Sequence, residues 1–109
     1  MAKKSRDKGK VGEREFAKFL QDRGYEARRG QQFSGGGDSP DVVHSVPFLH
    51  FEVKRVESLR LWPALEQAEN DAPAEKLPAV AHRPNRRDWV IVMYADDFFD
   101  LLRWTGDKR

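Results

Sequence analysis

The chain has 109 residues, of which 39% are hydrophobic and 35% charged, so it can build one small hydrophobic core and not two. Twenty Lys and Arg residues against 18 Asp and Glu residues give a formal net charge of only +2, and the absence of cysteine excludes disulfides, thiolate metal sites and cysteine nucleophiles. We recognise no membrane-spanning apolar run and no secretory leader, and therefore expect a soluble intracellular protein.

The sequence pattern predicts a flexible basic tail over residues 1–8, followed by a single domain over residues 9–109. The elements of this domain follow the order αβββαββα, which indicates an α/β fold with a small mixed sheet flanked by helices. Their predicted bounds are Lys10–Arg23, Tyr25–Arg29, Pro40–Val46, Phe48–Arg55, Leu59–Asp71, Leu77–His82, Trp89–Ala95 and a last helix capped by Asp96.

Local signals support these elements. Gly24 is a helix stop, and three successive glycines place residues 30–39 in a loop. The strand Trp89–Ala95 is almost continuously apolar, as expected for a strand that is covered on both faces. The buried stripe of the second helix is predicted to contain Leu61, Leu65, Ala68 and Ala72.

Asp41 and Glu52 are acidic residues of the second and third predicted strands. Glu52 and Lys54 are two residues apart on one strand, so they project to the same side, with Cα atoms about 7 Å apart. If this strand forms a hairpin with the preceding one, Asp41 converges with Glu52 on the polar face. Two adjacent carboxylates repel each other, and either a shared proton or a bound cation relieves that repulsion. A hard divalent cation with oxygen ligands, such as Mg²⁺ or Mn²⁺, fits this site.

A third acid comes from the first helix. Glu13 lies within the apolar stripe of that helix and needs a partner, whereas Glu15 falls on the opposite, solvent-facing side. Together these residues supply the groups that metal-assisted phosphodiester hydrolysis requires. Asp41 and Glu52 would be metal ligands, and Glu13 would be a further ligand or act through water. Lys54 would lie beside the attacking water.

The segments Gly12–Glu15, Ser34–Asp41 and Glu52–Lys54 resemble the PD-(D/E)XK nuclease superfamily, and within it the archaeal-type and phage-encoded Holliday junction resolvases. The resemblance implies a restriction-endonuclease-like fold and a cytoplasmic Mg²⁺-dependent endodeoxyribonuclease of a bacterial, archaeal or phage-infected cell, with Mn²⁺ substituting. It further implies a homodimer that hydrolyses four-way or other branched DNA by metal-activated water.

The resemblance also assigns individual residues. The implied catalytic set is Glu13, Asp41, Glu52, Lys54 and Gln67, with the metal held by Asp41, Glu52 and Glu13. For DNA binding, the resemblance points to Arg14, one of Arg28 and Arg29, and Ser34. Further candidates are Lys8 and Lys10 of the basic N-terminal stretch and Arg83 of a later basic loop.

Several residues keep two interpretations. Asp38 is either a turn residue or a competitor for the metal, and Arg83 either contacts phosphate or belongs to a solvated basic turn. His50 is expected to be a hydrogen-bonded structural residue, with a place near the metal as the alternative. Trp62 is expected to be partly buried in the core, with an interface or DNA as the alternative.

Two other functions compete with junction resolution. A nicking, repair or restriction-type nuclease of the same fold would act on duplex or flap DNA with the same site residues. A catalytically silent DNA-binding subunit would retain the fold without cleavage, although the intact acidic set argues against this alternative.

Overall fold

The protein is described from a computed structural model that covers residues 2–30 and 41–106. Its elements follow the predicted order αβββαββα, which confirms the α/β fold class. The helices and strands are α1 (Ala2–Gln21), β1 (Ala27–Arg29), β2 (Val42–His44), β3 (Leu49–Lys54), α2 (Leu61–Asp71), β4 (Leu77–His82), β5 (Val90–Val92) and α3 (Ala95–Trp104).

The strands form two small sheets. β1 and β2 pair antiparallel, while β3 pairs parallel with β4 and β4 pairs antiparallel with β5. The predicted hairpin between the second and third strands is therefore wrong, because β2 takes β1 as its partner. The parallel connection between β3 and β4 passes through α2, as a parallel pair requires a long crossover.

The two faces of β3 and β4 carry the core. Phe51 and Val53 on β3, with Ala79 and Ala81 on β4, pack against Phe16 of α1, which is fully buried. The residues between them face the other way, where Val80 packs under Ala64, Leu65 and Ala68 of α2. Period-two alternation thus sends the apolar residues of β3 towards α1 and its polar residues towards α2.

The first helix differs from its prediction at both ends. It begins at Ala2 rather than at Lys10 and ends at Gln21 rather than at Arg23. Gly24 lies just beyond the helix with φ +91°, a conformation that glycine adopts without steric cost, which confirms its role in stopping the helix. None of the helices in the described residues is both long and apolar enough to cross a membrane.

The second helix buries part of its predicted stripe: Leu65 and Ala68 are buried as expected, whereas Ala72 is only partly buried. Pro63 lies in the first turn, as required, but the buried residues are Ala64, Leu65 and Ala68, and Leu61 is 38% exposed. Trp62 is 64% exposed, so its expected partial burial in the core is wrong. Because α2 packs through small alanines, the narrow stripe leaves its larger N-terminal side chains in solvent.

The C-terminal elements are much more exposed than predicted. β5 is an edge strand on which Val90 and Ile91 are 48% and 46% exposed, so the expectation of cover on both faces is wrong. No residue of α3 is buried, although the helix is amphipathic. The helix is preceded by Tyr94 in the N-cap position, and Asp96 lies in the first turn rather than capping the helix.

Candidate active site

Asp41 and Glu52 meet although their strands do not pair. The Asp41 carboxylate lies just before β2 and accepts a hydrogen bond of 2.8 Å from the backbone N–H of Val53. It is also hydrogen-bonded to the carboxyl group of Glu52, which is only 5% exposed on β3. A side-chain contact, rather than the expected hairpin, therefore brings Asp41 next to Glu52.

The two carboxyl groups share a proton in the absence of a cation. Burial and the neighbouring charge of Asp41 raise the pKa of Glu52 to about 8. Burial also raises the pKa of Asp41, although the hydrogen bonds from the Val53 N–H and from Glu52 oppose this shift. At neutral pH Glu52 therefore keeps its proton and donates it in the hydrogen bond to Asp41.

Lys54 and Gln67 complete this side of the site. The Lys54 Nζ lies 3.7 Å from Oε2 of Glu52 and donates a hydrogen bond of 3.0 Å to Oε1 of Gln67. Lys54 follows Glu52 by two residues on β3, and Gln67 reaches it from the middle of α2. The amine is thus held between an acidic neighbour and an amide, and the structure brings these three predicted residues together.

Glu13 enters the site from α1. Its side chain is only 16% exposed, and its Oε1 accepts a hydrogen bond of 2.9 Å from Nε of Arg29 on β1. Burial and the negative charge of Asp41 raise the pKa of Glu13, while Arg29 opposes the shift. The position of Glu13 near Asp41 follows from α1 lying across β1 and β2. Of the two alternative arginines, Arg29 is the one that contacts a site residue.

The donor set suits a hard divalent cation. Asp41 and Glu52 offer carboxylate oxygens only, and their mutual repulsion is relieved here by a proton that a cation would replace. Within residues 2–30 and 41–106, no three Asp, Glu or His side chains already stand together as a ready cation site. The assignment of Glu13 as a third ligand stays a prediction.

An ion-pair network that the sequence analysis missed lies beside the site. Glu15, expected to face solvent, accepts a hydrogen bond of 2.7 Å from Nε of Arg55 and lies 3.5 Å from NH1 of Arg83. Arg55 also donates to the backbone oxygen of Arg83. Because side chains alternate along a strand, Arg55 lies on the same face as the apolar residues of β3. A charged residue on that face indicates a buried ion-pair partner, and the sequence pattern already contained this signal.

Gly12 allows α1 to approach this network. A Cβ atom added at Gly12 would lie 2.4 Å from the Cβ of Arg55, which is closer than two carbon atoms can stand. The absence of a side chain at this position therefore sets the distance between α1 and the end of β3. Glu13 is the next residue of the helix, so the same close approach brings it within reach of Arg29 on β1.

The predicted DNA-binding residues are spread over several surfaces. Arg14 and Arg83 line one open groove of about 820 Å³ between α1 and the segment that joins β4 to β5. Lys10 and Arg28 are exposed on α1 and β1. Ser34 lies outside the described residues, as does the side chain of Lys8. Asp38, the turn residue or competitor for the metal, also lies outside them.

His50 is buried on the same face of β3 as Glu52. It is 7% exposed, and its Nε2 has no hydrogen-bond partner among the described residues, so the expected hydrogen-bonded histidine is not found at that atom. Burial lowers the pKa of His50. A neutral imidazole behind the acidic pair adds no positive charge that would compete with a cation.

Comparison with known families agrees with this geometry. The family model for archaeal Holliday junction resolvase (Hjc) matches residues 4–98, which include Glu13, Asp41, Glu52, Lys54 and Gln67. The chain belongs to this family. Searches of the curated proteins and of the solved structures found no significant match. Membership of a family of resolvase nucleases is consistent with the PD-(D/E)XK resemblance and implies endonuclease activity.

Proposed function

We propose that the protein is a divalent-metal-dependent endodeoxyribonuclease that resolves Holliday junctions as a homodimer. The observation that carries this proposal is the contact between Asp41 and Glu52, buried beside Lys54, in a chain of the archaeal resolvase family. A buried pair of acids with one proton between them is costly to keep unless it has a function such as cation binding.

Asp41 and Glu52 are the residues proposed to hold Mg²⁺, with Mn²⁺ as a substitute, and Glu13, whose pKa is raised by the charge of Asp41, is proposed as a further ligand. The cation, when bound, supplies Lewis-acid polarisation of the phosphate and lowers the pKa of water. Loss of the shared proton leaves both carboxylates ionised, which is the form that binds a cation. The backbone N–H of Val53 fixes the orientation of the Asp41 carboxylate throughout.

Lys54 is proposed to orient the attacking water and to offset the negative charge that develops on the phosphate. Gln67 accepts a hydrogen bond from the Lys54 amine. This bond restricts the amine, because the four-methylene stem of Lys54 would otherwise move freely. Arg29, bonded to Glu13, places a second cation at the edge of the site.

Basic residues outside the site are proposed to bind the DNA backbone. Lys8, Lys10, Arg14, Arg28 and Arg83 carry positive charge at neutral pH, and Ser34 belongs to a glycine-rich segment of the sequence. Their contribution is electrostatic, so we expect the affinity for DNA to fall steeply as the salt concentration rises.

The exposed C-terminal apolar surface is proposed to bind a second copy of the chain. It combines the edge strand β5 with α3, on which Phe98 and Phe99 are 44% and 55% exposed and Trp104 is 45% exposed. An unpaired edge strand beside exposed aromatic side chains is typical of an interface. Light scattering after size exclusion should give a dimer for the wild type and a monomer for Phe99→Asp. A monomeric wild type would refute this part of the proposal.

The catalytic part is tested by cleavage of a four-way junction with Mg²⁺. We expect Asp41→Asn, Glu52→Gln and Lys54→Ala to abolish cleavage while gel-shift assays in Ca²⁺ show that junction binding is retained. Glu66→Gln, an exposed position on α2, is the matched control and should cleave normally. Full activity in Asp41→Asn would refute the assignment.

The same assay separates the alternative functions. A resolvase makes symmetric paired nicks in the junction and leaves a linear duplex of the same sequence intact. Equal cleavage of duplex or flap DNA would favour a nicking, repair or restriction-type enzyme. Binding of junctions without cleavage in Mg²⁺ or Mn²⁺ would favour a catalytically silent subunit.

A further inference from the structure

A small cavity opens beside Lys54, where β3 leads into α2. Its volume is about 300 Å³, at the lower end of the range for binding pockets. Val56, Leu59 and Ala64 supply apolar wall atoms, and Leu59 and Ala64 belong to the core beneath α2. The core thus holds two of these walls in place, while Val56 is 36% exposed at the rim.

The polar groups of this cavity are few and lie beside the proposed reaction centre. Lys54 and Gln67 are shared with the catalytic site, while Ser58 and Arg60 are exposed residues of the connecting segment. Oε1 of Gln67 accepts a hydrogen bond from Lys54, so the amide N–H groups of Gln67 are available to donate. A group that enters the cavity therefore meets apolar walls and a small number of donors.

This chemistry suits a nucleobase better than a phosphate. A phosphate requires donors around most of its oxygens, whereas Val56, Leu59 and Ala64 offer only carbon. A base has apolar faces that pack on such walls and polar edges that accept hydrogen bonds. The size of the cavity admits one base, and the phosphate of that nucleotide would lie near Lys54 or Arg60.

We propose that this cavity receives one nucleobase, turned out of the stack next to the scissile phosphate; the inference rests on the proposed nuclease function. Turning a base out of a helix costs less where pairing and stacking are already interrupted. The branch point of a junction is such a place, so the cavity favours branched DNA over continuous duplex without reading sequence.

The test combines removal of the base with closure of the cavity. The cleaved bond is mapped first, and each of the two nucleotides that flank it is replaced in turn by an abasic tetrahydrofuran residue. Ser58→Trp closes the cavity, and Ser58→Ala is the matched control at the same exposed position. Single-turnover kcat/KM is measured with Mg²⁺ for every combination of protein and junction, and urea unfolding verifies that both variants are folded.

At one of the two positions, base removal should lower kcat/KM about tenfold for the wild type and for Ser58→Ala. For Ser58→Trp the same base removal should lower kcat/KM less than about twofold. Such non-additivity is expected when the base and the cavity are in contact. On the intact junction, Ser58→Trp should itself lose about tenfold. Equal effects of base removal in Ser58→Ala and Ser58→Trp at both positions would overturn the cavity proposal while leaving the nuclease intact. Absence of cleavage by the wild type would overturn both.

A fluorescence measurement keeps the inference testable if Ser58→Trp does not fold. The base next to the cleaved bond is replaced by 2-aminopurine, whose emission rises when it leaves the stack, and binding is followed in Ca²⁺. We expect Val56→Trp, which closes the same cavity, to reduce the rise that the wild type produces. An unchanged emission on binding of the wild type at both positions would contradict the proposal.

Discussion

The buried acidic pair should make the metal-free protein less stable as the pH rises through neutrality. The pKa of Glu52 is raised from 4.5 to about 8 in the folded chain. Between these values the unfolded chain has lost a proton that the folded chain keeps, so the contribution of Glu52 to stability is fully present below about pH 4.5 and is lost as the pH rises to about 8. The raised pKa values of Asp41 and Glu13 act in the same direction.

The magnitude follows from the proton count. One retained proton lowers the free energy of unfolding by about 1.4 kcal/mol per pH unit, so the window from about pH 6.5 to about 8 is worth roughly 2 kcal/mol. The histidines act in the opposite direction at lower pH, because burial lowers the pKa of His44 to about 4 and also lowers that of His50. The window above pH 6.5 avoids this effect.

Urea unfolding in EDTA, followed by tryptophan fluorescence, measures this loss at pH 6.5 and pH 8. We expect the roughly 2 kcal/mol decrease in the wild type and in the exposed control Glu66→Gln, and a much smaller decrease in Glu52→Gln, which has no proton to lose. Saturating Mg²⁺ should reduce the decrease as well. An identical pH dependence in the wild type and in Glu52→Gln would refute the shared-proton interpretation.

Three further predictions concern stability. Gly12→Ala should cost about 1–3 kcal/mol because the new methyl group meets Arg55, whereas Gly9→Ala, on the same helix and in open space, should be neutral or stabilising by up to about 1 kcal/mol in urea unfolding. Phe16→Ala should cost about 3–5 kcal/mol, since this ring is fully buried, and a loss below about 1 kcal/mol would contradict the described core. Glu15→Ala should cost about 1–3 kcal/mol because it leaves the mostly buried Arg55 without its carboxylate, and an unchanged urea midpoint would show that the pair contributes nothing.

The local parts of the fold were predictable because they depend on neighbouring residues. Alternation along β3 placed Glu52 and Lys54 on one face and Phe51 on the other, and the strand Leu77–His82 was predicted with its observed bounds. The placement of Glu13 within the buried side of its helix was also correct. These inferences require only the geometry of one helix or one strand.

Relations between distant segments were predicted less well. The exposure of Trp62 and the apolar surface of β5 and α3 depend on where the sheet ends, which an apolar pattern does not reveal. The pattern of β5 indicates burial, whereas within residues 2–30 and 41–106 no second layer covers Val90 and Ile91. If the proposed dimer forms, that burial would be provided by another copy.

The order of the elements, the residues that face each side of a strand, and the acids and amine available for phosphodiester chemistry follow from the linear chain. Three contacts emerge only when the elements pack together: Asp41 reaches Glu52 without a hairpin, Arg29 rather than Arg28 pairs with Glu13, and Glu15 is bound by Arg55. The reason is physical. Side-chain periodicity is fixed by backbone geometry within an element, whereas contacts between elements depend on how closely they pack, and here that distance is set by the missing side chain of Gly12.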